Sequence, residues 1–390
     1  MDSLGEARKS QAVRTLRDSM PVVSGLADAI LARPEIAFEE RFAAATVAEV
    51  LSDHGFSVEL GAYGLETTVV AEAGDGPLCI ALCAEYDALP DIGHACGHNL
   101  IAAAAVGAAL SLKPLVDDIG LKVRVLGTPA EEVGDGGGKI LMLERGAWDG
   151  VHASMMVHPG PFDDAAPPLM AISAFQVEYH GHEVHATTFS HLGVNAGAAA
   201  VIAEVALAEM RQQLQTKQRV HGIIEKYGSS ANTLSGYSRL RYMIRDATSD
   251  GLSELRERVL RCFQAGALAT GAEMTVLGGD KPYAPLTTDF ELATLFVDNV
   301  ARVSDRVFPD LGEGPPTFAG TDMGNVSERV PTVHPMLGMN CFPVVNHQAA
   351  FTELCHGPVA EKVVFDGAAG MAGAAVDMAV LEHVRSRLLG

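Results

Sequence analysis

Cys83–Leu100, CAEYDALPDIGHACGHNL, carries Glu85, Asp87, His94, Cys96 and His98 where an apolar, strand-like run, Leu78–Cys83, gives way to an apolar, helix-like run, Leu100–Leu112. Reactive side chains gathered at a strand end suggest a site. Only Gly97 separates Cys96 from His98, so both side chains can point at one ion, and thiolate with imidazole suits zinc or a similar divalent metal. This stretch alone leaves a second possibility open, a small buried cysteine beside a hydrogen-bonded histidine.

Upstream, apolar positions at helical spacing run from about Leu4 to Leu31, broken at Pro21, and again from Glu40 to His54, ending at Gly55. Leu65–Ala73 and Leu78–Cys83 are apolar runs divided by the turn GDGP at Gly74–Pro77, which predicts a pair of neighbouring strands. Downstream, the strand Leu121–Gly127 ends in TPAEEVGDGGGK. There Glu131 and Glu132 are adjacent carboxylates, of which one can bind metal while the other takes a proton from water. A lone pair of glutamates fits a solvated loop equally well. The glycines before Lys139 raise a phosphate-cradling loop, weakly, because Ile140 stands where such a loop requires Ser or Thr. Ala153–Pro159 is a further apolar strand that delivers His158. The alternation of strands and helices predicts an α/β layer.

From about Ala171 the pattern changes. Alternating strands and two helices follow in the order βαββαβ, which predicts a small open-sheet domain inserted into the first. On its first strand His180 and His182 would share a face, so a separate metal site is conceivable; a histidine of HGHEVH reaching substrate in the first domain is the other use. After Pro285 a helix (Phe290–Val303), the segment FAGTDMGN, a strand (Thr332–Met339) and a helix from about Val359 to Leu388 resume the first pattern. The predicted architecture is a catalytic α/β/α sandwich from residues 1–170 and 283–390, with an inserted α+β, ferredoxin-like lid or dimerisation domain at 171–282.

Composition narrows the class. The chain has 390 residues, 48% of them hydrophobic, enough for a substantial core in two domains. Its 28 basic and 49 acidic residues give a net charge of −21, which opposes binding to nucleic acid or anionic membrane surfaces. The six cysteines form no dense framework, so reduced thiols and a cytoplasmic location are expected. The N-terminus lacks an apolar signal core, and the longest apolar run, Leu100–Leu112, falls short of the ~20 residues that span a bilayer.

Taken together, RPEIAFEE, CAEYDALPDIGHACGHN, TPAEE, VHP, HGHEVHATTFSHLGVNA, VHGII and GTDMGNVS, in this order and at these separations, resemble the metallopeptidase family of aminoacylases, zinc carboxypeptidases, plant indole-acetyl-amino-acid hydrolases and p-aminobenzoyl-glutamate hydrolase. The cysteine in GHACGHN marks the amidohydrolase branch. The resemblance implies that Cys96, His98, Glu132, His158 and His347 ligate one or two divalent metals, zinc foremost, with manganese or cobalt as substitutes. It makes Glu131 the general base and His185 a lid histidine that polarises the scissile carbonyl, commonly in the partner subunit's site of a homodimer. His221 and Asn232 match lid positions that hold substrate, and Asp87 matches a carboxylate that orients a ligating imidazole. The chain departs from the branch at Asn99, Ile101 and Ser190, which bears on substrate identity, and Glu85 stands where the peptidase branches have histidine.

The implied function is a metal-dependent amidohydrolase that cleaves N-acyl amino acids or small dipeptide-like amides through a metal-activated water. The alternatives are a dipeptidase or carboxypeptidase of the same family and a non-catalytic ligand-binding relative. A retained Glu131 argues against the last, because binding alone requires no free base.

Overall fold

The computed structural model describes residues 3–314 and 317–390. Helices α1 (Ser3–Ala32) and α2 (Arg41–Asp53) precede strands β1 (Ser57–Leu60), β2 (Val69–Ala73) and β3 (Leu78–Glu85), helix α3 (His98–Leu112), strand β4 (Leu121–Thr128), helix α4 (Gly138–Glu144) and strands β5 (Ala153–Met155) and β6 (His158–Gly160). The second unit holds β7 (Ala171–His180), β8 (Val184–His185), α5 (Ala196–Arg211), β9 (Arg219–Lys226), β10 (Thr233–Leu234), β11 (Tyr237–Asp246), α6 (Ser249–Thr270) and β12 (Glu273–Gly278). The chain then returns through α7 (Phe290–Val300), α8 (Met323–Ser327), β13 (Thr332–Val333), β14 (Met336–Gly338), α9 (Ala349–Thr352), α10 (Gly357–Val380) and α11 (Glu382–Leu389).

β3, LCIALCAE, is buried along its whole length because it lies inside the main sheet, whose order is β1-β2-β4-β3-β5-β13. Its alternate residues serve two layers. Leu78, Ile80, Leu82 and Ala84 join the large core beneath α1, α3 and α10, whereas Cys79, Ala81 and Cys83 meet Met142, Trp148 and Met323 on the opposite face. The lid is a second sheet, antiparallel, in the order β12-β7-β11-β9. Period-two alternation gives it one apolar face: Phe175, Val177, Tyr179, Leu240, Tyr242 and Ile244 pack against α5 and α6. This is the α/β sandwich with a βαββαβ insertion that the sequence predicts.

Several elements differ from the sequence pattern. α1 runs unbroken through Pro21, because Pro21 is exposed and the carbonyl it leaves unpaired can face water while Leu16, Val23, Leu26 and Ile30 stay in the core. β2 and β3 are not neighbours; β4 lies between them, antiparallel to β2 and parallel to β3. The intervening turn packs backbone to backbone on the start of β4, where a Cβ on Gly76 would come within 2.0 Å of the Gly120 carbonyl carbon. The strand expected over 153–159 is two strands, since β5 pairs with β13 in the main sheet whereas β6 pairs with β14 in a separate parallel ribbon. The C-terminal helix divides at Leu381. Its first part, α10, is long and apolar enough to cross a membrane by length and composition, and 89% of its apolar window is buried inside the fold.

The glycine-rich stretch after β4 does not cradle phosphate. Gly138 packs against the Pro129 carbonyl, where a Cβ would lie 1.9 Å from the oxygen. Lys139 is fully buried, and its Nζ donates to Glu85 at 2.5 Å and to Asp322 at 2.6 Å. This closed ion triad ties the end of β3 to α4 and α8. Removing the cation strands two buried carboxylates, so Lys139→Met is expected to cost about 3–5 kcal/mol, read as a lower urea midpoint with an unchanged slope.

Candidate metal centre and active-site cavity

The loops that follow β3 and β4 and the start of β6 line a cavity of about 650 Å³ to which the lid sheet also contributes. Asp87, buried two residues past β3, organises its metal side. Asp87 Oδ1 lies 2.8 Å from His98 Nδ1, and Oδ2 accepts the Glu132 backbone N–H at 2.9 Å. A carboxylate cannot donate, so the ring proton sits on Nδ1 and Nε2 turns toward the cluster. Burial opposes protonation of His98, but the charge and hydrogen bond of Asp87 prevail and hold the ring well above its ordinary basicity. His158 Nδ1 is fixed in the same way, 2.7 Å from the Pro159 carbonyl, which leaves its Nε2 at 3.5 Å from Cys96 Sγ.

All five expected ligands converge in overlapping groups. Cys96, His98 and His158 form one, and Cys96, Glu132 and His347 form another, each with donor atoms within 4.8 Å of one another. Glu131 lies with His98 and Glu132 in a third group and with Glu85 and Asp322 in a fourth. His347 arrives from a loop rather than a strand end, held in a left-handed conformation (φ 67°) with its N–H on the Ala95 carbonyl. Burial works against ionised Glu132, yet the nearby imidazole of His347 and the charge of His98 pull it down to about 2. Glu131 goes the other way: burial first, then Glu85, Glu132 and Asp322, push its carboxyl well above the usual range.

The donor set fits a divalent cation. Among the described residues, His98 Nε2, Glu132 Oε1 and Glu85 Oε2 are buried without a hydrogen-bond partner, although Glu132 Oε1 is only 3.3 Å from His347 Nε2 and 3.7 Å from His98 Nε2. Buried polar atoms this close yet unbonded are aimed at a common point rather than at each other. Sulfur, imidazole and carboxylate donors suit zinc, and the thiol of Cys96, held well above its ordinary value by burial and then by Glu132, needs a neighbouring cation to ionise.

The lid residues divide. His221 lines the cavity, whereas His185 and Asn232 are not among its lining residues. His185 ends β8 and Asn232 immediately precedes its partner strand β10, where the Ala186 N–H donates to the Asn232 carbonyl. The exposed His185 ring accepts at Nδ1 from the backbone N–H of Thr187 and Thr188. Asn99, one of the departures, has a structural task, donating to the carbonyls of Ala27 and Cys355.

Sequence reasoning missed three features of the cavity. His334 is 2% exposed, its ring centroid is 5.7 Å from that of His158, and among the described residues neither of its nitrogens has a partner. The signal was present, because the tripeptide VHP occurs at Val157–Pro159 and again at Val333–Pro335, each just before a strand of the same parallel ribbon or at its start. Arg245 and Arg219 face each other across β11 and β9 on the side opposite the lid core, and both line the cavity. Like charges directly opposite on a sheet repel, and among the described residues neither guanidinium has a carboxylate partner. Asp164 is the third, a buried acid on the cavity floor.

This sheet pair, donor set and free glutamate define a metallohydrolase. Residues 81–369 match peptidase family M20/M25/M40, and the chain belongs to that family, whose enzymes act on amide and peptide bonds. The Xaa-Arg dipeptidase of Mus musculus is 34% identical over 97% of this chain and 92% of its own length. The N-acetyl-L-cysteine deacetylase of Bacillus subtilis 168 is 29% identical over 76% of this chain and 76% of its own length. The crystal structure of an aminobenzoyl-glutamate utilization protein from Klebsiella pneumoniae shares the fold, with a TM-score of 0.74 at 19% identity over 93% of this chain and 98% of that one.

Gly97 sits at the tightest point of the cluster. Its φ is +80°, and a Cβ there would lie 2.4 Å from Pro159 Cγ. Gly97→Ala is therefore expected to cost about 1–3 kcal/mol and to push Cys96 and His98 away from His158. Differential scanning calorimetry and metal content per subunit check it: both the melting temperature and the retained metal should fall.

Proposed function

We propose that this protein is a metal-dependent dipeptidase that cleaves the amide bond on the amino side of a residue with a free carboxylate. The observation that carries the reading is the pairing, across one cavity, of the five-donor cluster and Glu131 with two guanidiniums that have no acidic partner among the described residues. In a chain of net charge −21, two facing arginines on a cavity wall are a place for an anion. The full-length likeness to Xaa-Arg dipeptidases supports a dipeptide over the N-acyl amino acid expected from the cysteine in GHACGHN.

Cys96, His98, Glu132, His158 and His347 would hold one or two divalent ions, with zinc favoured by the sulfur and nitrogen donors. A bound ion would acidify water and polarise the amide carbonyl. Arg245, with Arg219 opposite, takes the substrate carboxylate and so sets the amide over Glu131. Glu131 accepts a proton from the attacking water and returns it to the departing amine. Burial and then Glu85, Glu132 and Asp322 hold the Glu131 carboxyl well above its usual range, so a neighbouring cation would favour the ionised form that accepts the proton.

His185 belongs to a second layer of the proposal: it donates to the carbonyl oxygen in the site of a partner subunit. Two things support this. In its own chain the ring is exposed and does not line the cavity, and the edge strand β9 presents Ile223 and Ile224, 60% and 38% exposed, as apolar surface for a symmetric contact.

Glu131→Gln should retain metal and fold, since Glu132 and the other donors are untouched, while turnover falls by about two orders of magnitude or more. Metal analysis alongside dipeptide hydrolysis decides it; loss of metal would make Glu131 a ligand instead of a base. For the partner-subunit role, inactive His185→Ala and Glu131→Gln proteins are unfolded together and refolded. Activity should return to roughly a quarter of the wild-type value, the share of complete sites that random pairing of two subunit types gives. Mixed dimers that stay inactive would place His185 in its own subunit's chemistry or in none.

A further inference from the structure

The floor of the cavity holds a carboxylate that neither the metal cluster nor the fold accounts for. Asp164 is 3% exposed and lines the cavity. Its backbone is fixed by a two-way bridge to Met336, with Asp164 N–H donating to the Met336 carbonyl at 2.9 Å and Met336 N–H to the Asp164 carbonyl at 2.7 Å. Its Oδ1 accepts from the Ala166 N–H at 2.9 Å. Among the described residues, Oδ2 has no hydrogen bond and no cation pairs with the carboxylate. The adjacent Asp163, by contrast, is matched by Arg306 at 2.6 Å. Burial raises the Asp164 carboxyl above its ordinary value, which is what an acid without a counter-charge undergoes.

The Gly314 backbone lies against Oδ2, where a Cβ would come within 1.8 Å of it, and the cavity lining next to the carboxylate is apolar. Phe162, Pro167, Leu169 and Met336 line the same cavity. An apolar slot with one acid at its end matches a side chain with an aliphatic stem and a cationic head, whose stem packs on the walls while the head pairs with the acid. The lid contributes Arg245 and Arg219 to the same cavity, which repel such a head and attract a carboxylate. The cavity is therefore polarised, cationic on the lid side and anionic on the floor.

We infer that Asp164 is a specificity residue that accepts the guanidinium or ammonium group of a basic residue in the substrate, while the lid arginines take that residue's carboxylate. This rests on the dipeptidase reading above, and the experiment separates the two. Binding is measured by calorimetry in the metal-loaded Glu131→Gln protein, so that no turnover is needed, with alanyl-arginine and its neutral isostere alanyl-citrulline. The arginine dipeptide should bind at least about tenfold more tightly, the discrimination a charge-assisted pair supplies. Adding Asp164→Asn, which keeps an acceptor for the Ala166 N–H, should remove that preference and leave alanyl-citrulline affinity within about twofold. An equal loss for both ligands, or an arginine preference that survives Asp164→Asn, would overturn the assignment. If neither dipeptide binds, the same comparison is made with N-acetyl-arginine and N-acetyl-citrulline; discrimination there sinks the dipeptide reading and keeps the role of Asp164, and its absence sinks both.

Discussion

One carboxylate holds the centre in register. Asp87 spends one oxygen on the His98 ring and the other on the Glu132 backbone, so the first residue of α3 and the loop after β4 are oriented by the same group. The main-sheet pairing of β3 with β4 ends at Glu85 and Thr128, so beyond the sheet side-chain bonds such as these set the angle between the two elements. A rigid acceptor buried at the strand mouth turns the register of the sheet into the register of the ligands. It also settles which imidazole nitrogen faces inward, a matter of chemistry as much as of position.

Around this point the protein accumulates charge in a dry place. Glu85, Asp87, Glu131, Glu132 and Asp322 crowd together, with Lys139 as their buried fixed cation. Lys139 pairs with Asp322 and with one oxygen of Glu85, and leaves the other Glu85 oxygen, Glu131 and Glu132 short of positive charge. The deficit is the physical reason the cluster suits divalent ions: a cation relieves repulsion that the fold by itself leaves in place. The divergence of Glu131 and Glu132, one pushed up and one drawn down, then gives two chemically identical neighbours different roles.

What the sequence disclosed depended on whether the signal was local. Cys96 and His98 were legible because one glycine separates them, and β3 because both of its faces are buried. The lid was legible because its strands alternate with period two and its helices are contiguous. The order of β2, β3 and β4 was not, since nothing in the turn Gly74–Pro77 announces that a later strand inserts beside it. Pro21 misled because its cost depends on exposure, which sequence does not state. Arg245 and Arg219 look like ordinary strand arginines until the register of β11 on β9 sets them opposite each other, and His334 is a lone core histidine until β14 is laid beside β6.

The short parallel pairs β5 with β13 and β6 with β14 bracket the whole lid in the chain. The lid has its own core of residues close in sequence, so it can condense as a unit soon after it is synthesised. The pairs that complete the cavity floor join residues on either side of that unit, so they close a long loop that contains the whole lid. Cys96, His98 and His158 leave the ribosome long before His334 and His347, so a nascent chain exposes an incomplete thiolate and imidazole set. The order of synthesis therefore completes the donor set only after the whole lid has been made, and sets ion capture behind the folding of the lid.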